Sequence, residues 1–192
     1  DFIFAIMSQI VKYIESHEEL SFVNDDITAL YNYWMDEKIV EDVKYEAGEL
    51  SAGFSAKLSF LKKIAVECGG ILKTGSESKT LIRKKMEPKV GYLIELINQI
   101  IGKINSKLQN KGLIFIVEDM DKLSLEIANE LFIKNRKVLL AIKTRMILTF
   151  PVFMAYDLQY NMIKEDVDMC QMLSVIKVCD KEKNHFEIGI DK

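Results

Sequence analysis

Residues 113–122 read Leu-Ile-Phe-Ile-Val-Glu-Asp-Met-Asp-Lys, in which an apolar run is followed directly by acidic residues. Five apolar residues without alternation are typical of a strand that is covered on both faces of a parallel sheet. Three carboxylates, Glu118, Asp119 and Asp121, follow the strand directly, at its carboxyl end. Ligands of open α/β sheets bind outside the carboxyl ends of the strands, and adjacent carboxylates repel unless a metal ion or a basic group neutralises them. The stretch therefore predicts a cation site at one edge of a sheet.

Strand and helix patterns alternate around this stretch. Pro151 ends a second buried strand over Met146–Phe150, because proline cannot donate to a strand ladder. Further elements are predicted on both sides of it: helices over Leu123–Ile133 and Val138–Ile142, a third strand over Leu173–Val178, and a hairpin-like return over Phe186–Ile190. This alternation is typical of an α/β arrangement.

The first 110 residues carry helical spacing instead. Apolar residues recur every three or four positions in four segments. The predicted helices cover residues 2–17, residues 20–39, Phe54 to near Gly69 and Gly70, and Pro88 to near Gly112. We predict one α/β domain with a mostly parallel sheet flanked by helices, in which residues 1–110 form a mainly helical region and residues 111–192 form the α/β part.

Composition excludes several classes of function. The chain of 192 residues has 26 basic and 29 acidic side chains, so no global attraction to nucleic acid or anionic lipid is implied. Its longest apolar run, Phe2–Met7, has six residues, far fewer than the roughly 20 that span a bilayer, so we expect no membrane segment. Three cysteines, at positions 68, 170 and 179, form no C-x-x-C pair, which favours a reducing, cytoplasmic compartment and argues against a structural zinc site.

Residues 113–122 resemble the Walker B segment of P-loop NTPases of the AAA+ and STAND groups, in which hydrophobic residues precede an acidic pair, a third acid and a basic residue. Residues 146–151 look like the next strand of that family, with Thr149 as the polar sensor residue at its tip. The resemblance runs from Gly112 to about Lys183. It implies a P-loop-NTPase-like fold that binds ATP and Mg²⁺.

The resemblance also implies roles for individual residues. Glu118 would orient water on Mg²⁺, Asp119 would contact the metal and polarise the attacking water, and Thr149 would sense the γ-phosphate. Asp121 would join Glu118 on the nucleotide side. The family's usual order is Asp then Glu, whereas this chain has Glu118 then Asp119, which predicts slow or absent hydrolysis. The alternative is that residues 118–122 only cap the next helix, since acids in a first helical turn complement the helix dipole.

A phosphate-binding loop is missing from the sequence. Nothing matches G-x-x-x-x-G-K-[ST], and the nearest segment, Gly70–Gly75, lacks the lysine and follows a helix. The family places this loop before the other elements. We therefore expect it to precede Asp1 in a longer protein.

These features predict an ATPase domain that couples nucleotide binding and hydrolysis to conformational change, together with a protein partner or further copies of itself. The alternative is a catalytically inactive scaffold that keeps the fold and binds another protein. A basic cluster could contact nucleic acid, although a solvated loop is the more common role of such a run; its members are Lys79, Arg83, Lys84, Lys85 and Lys89.

Overall fold

The computed structural model describes residues 2–36, 53–73, 89–108, 111–157 and 160–171. In the N-terminal part they form a 3-10 helix over Glu18–Val23 and four α-helices: α1 (Phe2–Glu15), α2 (Asn24–Asp36), α3 (Phe54–Lys73) and α4 (Val90–Lys107). The predicted helical region is confirmed for these segments. No helix in the described ranges is long and apolar enough to cross a membrane.

The α/β part alternates short strands with short helices. Strand β1 covers Ile114–Val117 and strand β2 covers Arg145–Leu148. The helices are α5 (Leu125–Asn129), which continues as a π-helix over Glu130–Lys134, α6 (Arg136–Leu140) and α7 (Tyr160–Asp166); 3-10 helices cover Met120–Lys122 and Val152–Tyr156. The predicted strands at residues 173–178 and 186–190, and most of the basic cluster, lie outside the described residues.

Several predicted helix boundaries differ from the observed ones by a few residues. Helix α3 does not stop at Gly69 and Gly70 but continues to Lys73. An internal glycine costs a helix only about 1 kcal/mol, which other interactions can offset. The helix predicted over residues 20–39 begins earlier, as a 3-10 turn from Glu18, and becomes α-helical at Asn24.

The helical part is built around a large apolar core. The side chains of Trp34, Leu61 and Ile100 are completely buried there, and the aromatic rings of Phe4 and Trp34 lie 5.6 Å apart. One charge is buried at the border of this core: the Asp26 carboxylate, 7% exposed, accepts a hydrogen bond of 2.6 Å from Lys103 Nζ. The amphipathic spacing of the sequence thus produces the expected helix-on-helix packing.

Strands β1 and β2 form a parallel pair. Ile114 lies opposite Arg145 and Val117 lies opposite Leu148, so both strands run from the same edge of the sheet to the other. The predicted parallel neighbours are therefore confirmed. Within the described residues the sheet has these two strands only. The further strands of the predicted sheet lie outside those residues.

The two faces of this sheet have different surroundings. Phe115 and Met146 pack against the helical core, and Val117 and Leu148 pack against a second apolar cluster built from α5, α6 and α7. On the opposite face, three isoleucines are exposed: Ile114 by 51%, Ile116 by 65% and Ile147 by 58%. The prediction that β1 is covered on both faces was wrong for the described part of the chain, because the elements described there pack on one face only.

Two asparagines of α4 connect the helical part to the sheet by side-chain hydrogen bonds. Asn98 donates to the Ala141 carbonyl at 2.8 Å and accepts from the Lys143 amide at 2.7 Å, just before β2. Two helical turns later, Asn105 Oδ1 accepts from the Leu113 amide at 2.7 Å, just before β1. Both strands are therefore positioned at their amino ends by one helix. Gly112 makes the turn at this point with φ of +42°, a conformation that glycine adopts readily.

Candidate functional site

The candidate site is the loop of residues 118–122 that follows β1, together with Thr149 at the end of β2; we call residues 118–122 the acidic loop. Because the strands are parallel and in register, the loop and Thr149 meet at the carboxyl edge of the sheet. The Thr149 amide donates to the Val117 carbonyl at 3.1 Å, which extends the strand pairing by one step beyond β2. The predicted convergence at this edge is confirmed.

Thr149 also contacts the acidic loop through its side chain. Its Oγ1 accepts a hydrogen bond of 2.9 Å from the Met120 amide and a longer one of 3.4 Å from the Asp121 amide. The hydroxyl oxygen is thus occupied as an acceptor, whereas the hydroxyl proton remains a donor. Sequence reasoning placed Thr149 correctly at the edge but did not foresee these contacts with the loop backbone.

Asp119 has an unusual backbone. Its φ is 64°, and it is the one residue other than glycine with positive φ in the described ranges. Aspartate and asparagine tolerate this left-handed conformation better than most residues. The Asp119 carboxylate is 75% exposed and lies 2.5 Å from Lys122 Nζ, which is itself 73% exposed. The carboxylate therefore points into solvent, with a lysine from its own loop as its partner.

The neighbouring Asp119 carboxylate changes the pKa of Lys122. The hydrogen bond to Asp119 raises the pKa of Lys122 above its ordinary value of 10.5, and the charge of Asp119 adds to the effect. The charges of Asp121 and Glu118 contribute in the same direction to a smaller degree. A basic group of the same loop thus relieves part of the repulsion expected among the adjacent carboxylates.

The remaining acids are exposed as well. Glu118 and Asp121 belong to the solvent-exposed part of the loop, whereas Met120 between them is buried and anchors the loop to the second apolar cluster. In the described ranges, no group of three or more histidine, cysteine, aspartate or glutamate side chains is arranged to hold a metal ion. The three acids therefore share an edge without forming a cage of protein ligands.

The loop is followed by a capped helix. Ser124 is the N-cap of α5, and its hydroxyl oxygen accepts from the Ile127 amide at 3.4 Å. The capping role proposed as the alternative for residues 118–122 thus belongs to Ser124, which lies after the acids. Glu118, Asp119 and Asp121 stand before this cap; Asp119 is the N-cap position of the 3-10 helix Met120–Lys122, where its side chain makes no capping hydrogen bond.

Sequence reasoning missed a second threonine contact between the strands. Thr144, directly before β2, donates through Oγ1 to the Leu113 carbonyl, directly before β1, at 3.0 Å. The β2 strand is therefore bounded by two threonines, and each makes a side-chain hydrogen bond to backbone flanking β1. The signal in the sequence is a threonine immediately before and after a four-residue strand, and it can be interpreted only when the partner strand is known.

A shallow groove lies on the helical part, lined by Phe22, Gln99, Gly102, Lys103, Ser106 and Lys107. None of the acidic-loop residues lines it. Comparison of the chain with protein-family models, with curated proteins and with solved structures gave no match. The sheet edge with the acidic loop and Thr149 is therefore the feature on which a function is proposed.

Proposed function

We propose that the acidic loop and Thr149 form the Mg²⁺ and γ-phosphate side of an ATP-binding site, in a domain that couples nucleotide binding and hydrolysis to conformational change. The observation that supports this proposal is the parallel pairing of β1 and β2, which brings Glu118, Asp119 and Thr149 to one edge of the sheet. An antiparallel pair would have put the acids and the threonine at opposite ends.

The exposed carboxylates of the acidic loop suit Mg²⁺, which keeps several of its waters, better than an ion that is held entirely by protein ligands. Mg²⁺ usually keeps several waters and is held by one or two carboxylates and by the phosphates of a nucleotide. Glu118 and Asp119 are exposed carboxylates next to each other, and both can accept hydrogen bonds from metal-bound water. When bound, Mg²⁺ would neutralise phosphate charge in this family of reactions.

Each residue then has a definite task. Glu118 would hold water on the metal, and Asp121 would lie on the nucleotide side. Asp119 would accept a proton from the attacking water, and for this its carboxylate has to exchange Lys122 for that water. Thr149 would donate its hydroxyl proton to a phosphate oxygen, since its oxygen already accepts from the loop.

Asp119→Asn in the full-length protein tests the central role. Asparagine keeps the size of the side chain and tolerates positive φ, but it cannot take a proton. We expect turnover of ATP to fall by about 10²- to 10⁴-fold, the usual loss of a general base, with nucleotide affinity little changed. Steady-state hydrolysis and equilibrium binding of ATP measure the two quantities separately.

Glu126→Gln is the matched control, because Glu126 is an exposed carboxylate in the first turn of α5, beyond the loop and its cap. It should leave turnover unchanged. Equal hydrolysis by the wild type and the Asp119→Asn variant would contradict the proposal. Glu118→Gln should instead weaken the Mg²⁺ dependence of ATP binding, which a Mg²⁺ titration at fixed ATP measures.

The 192 residues alone should bind ATP no more tightly than about millimolar. Backbone amides and the lysine of a phosphate-binding loop supply most contacts to phosphate, and the sequence contains no such loop. Calorimetric titration with Mg²⁺ and ATP measures this affinity. Micromolar binding by this chain would place the phosphate site elsewhere.

A second candidate function is an inactive module that binds another protein or a further copy of itself. Two observations favour it: Asp119 is paired with Lys122, and the isoleucine face of the sheet is exposed in the described part of the chain. Exposed apolar patches often mark interaction sites. Absence of hydrolysis by the full-length wild type, together with retained folding, would select this candidate.

A further inference from the structure

We propose that Thr149 is a positioning residue for Asp119: its hydroxyl oxygen holds the loop backbone immediately after Asp119 and thereby keeps that residue in the left-handed conformation. The contacts are local and directional. The Met120 amide donates to Thr149 Oγ1 at 2.9 Å, and Met120 is the residue that follows Asp119. The φ of 64° at Asp119 and the orientation of the next amide belong to the same turn.

A left-handed residue other than glycine needs support from its surroundings, because this region costs an L-residue roughly 1–2 kcal/mol. The Asp119 side chain contributes an ion pair with Lys122, but both partners are about three-quarters exposed, and such pairs contribute little. The Thr149 contact is half-buried and involves backbone on one side. The buried side chain of Met120 holds the same part of the loop in place, so the threonine hydroxyl and the methionine side chain together define the turn.

The chain contains its own control for this assignment. Thr144 makes the same type of contact at the opposite end of β2, through its hydroxyl to the Leu113 carbonyl at 3.0 Å. If the threonines only stabilised the strand pair, removal of either hydroxyl would have the same effect on the acidic loop. If Thr149 positions the loop, Thr149→Val alters Asp119 and Thr144→Val does not.

Two NMR readouts on the 192-residue chain test this difference without any nucleotide. The first is amide hydrogen exchange at Met120, which should become about tenfold faster in Thr149→Val, the upper range expected when one hydrogen bond is lost. The second is the intraresidue NOE between the amide proton and Hα of Asp119, which is strong at positive φ and should weaken as the residue samples negative φ. Thr149→Ser keeps the hydroxyl oxygen and should preserve both signals.

Thr144→Val should leave both signals at Asp119 and Met120 as in the wild type while exchange near Leu113 accelerates. Unchanged signals in Thr149→Val, or equal changes in the two valine variants, would overturn the assignment. If Thr149→Val does not fold, Thr149→Ala takes its place.

The consequence for catalysis rests on the proposed function, whereas the loop geometry does not. If Asp119 polarises water, the turn that Thr149 holds determines where its carboxylate stands. A loop that loosens in Thr149→Val in a protein whose wild type does not hydrolyse ATP would leave the positioning role intact and refute the ATPase. Unchanged loop signals in an active ATPase would do the reverse.

Discussion

The helical core and the outer face of the sheet contain the same residue type in opposite environments. Ile100 in α4 is completely buried among helices, whereas Ile116 in β1 is 65% exposed. Both belong to runs that sequence analysis reads as buried. An apolar pattern therefore predicts which residues would benefit from burial, but not whether the described part of the chain supplies the covering layer.

The largest expected difference comes from the same substitution at the two isoleucines. Ile100→Ala removes buried methyl groups and leaves a cavity, so it should lower the free energy of unfolding by about 2–5 kcal/mol. Ile116→Ala should cost less than about 1 kcal/mol, mostly through lower strand propensity. Denaturant unfolding of the two variants measures both values. A similar cost at Ile116 would show that its face is covered in solution.

Two neighbouring residues of one strand show the same contrast. Phe115 points from β1 into the helical core, and Ile116 points to the exposed face. Because Phe115 is only partly buried, Phe115→Ala should cost about 2 kcal/mol, below the 3–5 kcal/mol of a fully buried phenylalanine. The contrast would fail if the two substitutions had equal effects in the same unfolding assay.

The attachment between the two regions should have a smaller effect. Asn105→Ala leaves the Leu113 amide without its side-chain acceptor, which should cost about 1–2 kcal/mol. Hydrogen exchange at Leu113 should accelerate at the same time. Ser106→Ala is a suitable control on the next residue, because its hydroxyl only bonds back to the Gly102 carbonyl of its own helix. Equal losses of stability in the two variants would argue against the attachment.

Much of the fold followed from periodicity. The predicted helices near residues 2–17 and 54–70 and the strand at 113–117 occur close to their expected bounds, because helical and strand spacings are local properties of the sequence. What surrounds β1 could not be predicted, since five apolar residues are compatible with any covering layer. The 3-10 start at Glu18 was also missed, because helix spacing does not distinguish the first turn of an α-helix from a 3-10 turn.

The sequence predicted which residues form the site but not the contacts that they make. Acids after one parallel strand and a threonine after the next must meet at one edge, so Glu118, Asp119 and Thr149 were placed together from the sequence. The left-handed Asp119 has no sequence signal beyond the tolerance of aspartate for that conformation. The Asn98 and Asn105 contacts required knowledge of which helix lies beside the strands.

The smallest expected effect concerns the charge balance of the exposed acidic loop. Since the hydrogen bond to Asp119 is the main cause of the raised pKa of Lys122, Asp119→Asn should bring that pKa back toward 10.5. Asp121→Asn should lower it less and Glu118→Gln least, following the order of their influence. A lysine pKa that is raised in the folded state stabilises the fold below the unfolded pKa, and this contribution disappears as pH rises through the folded value.

NMR titration of the Lys122 side chain between neutral and strongly alkaline pH measures the three shifts. A wild-type Lys122 that titrates at 10.5, or a larger fall in Glu118→Gln than in Asp119→Asn, would show that Lys122 does not pair with Asp119 in solution and that the Asp119 carboxylate needs no release before it meets water.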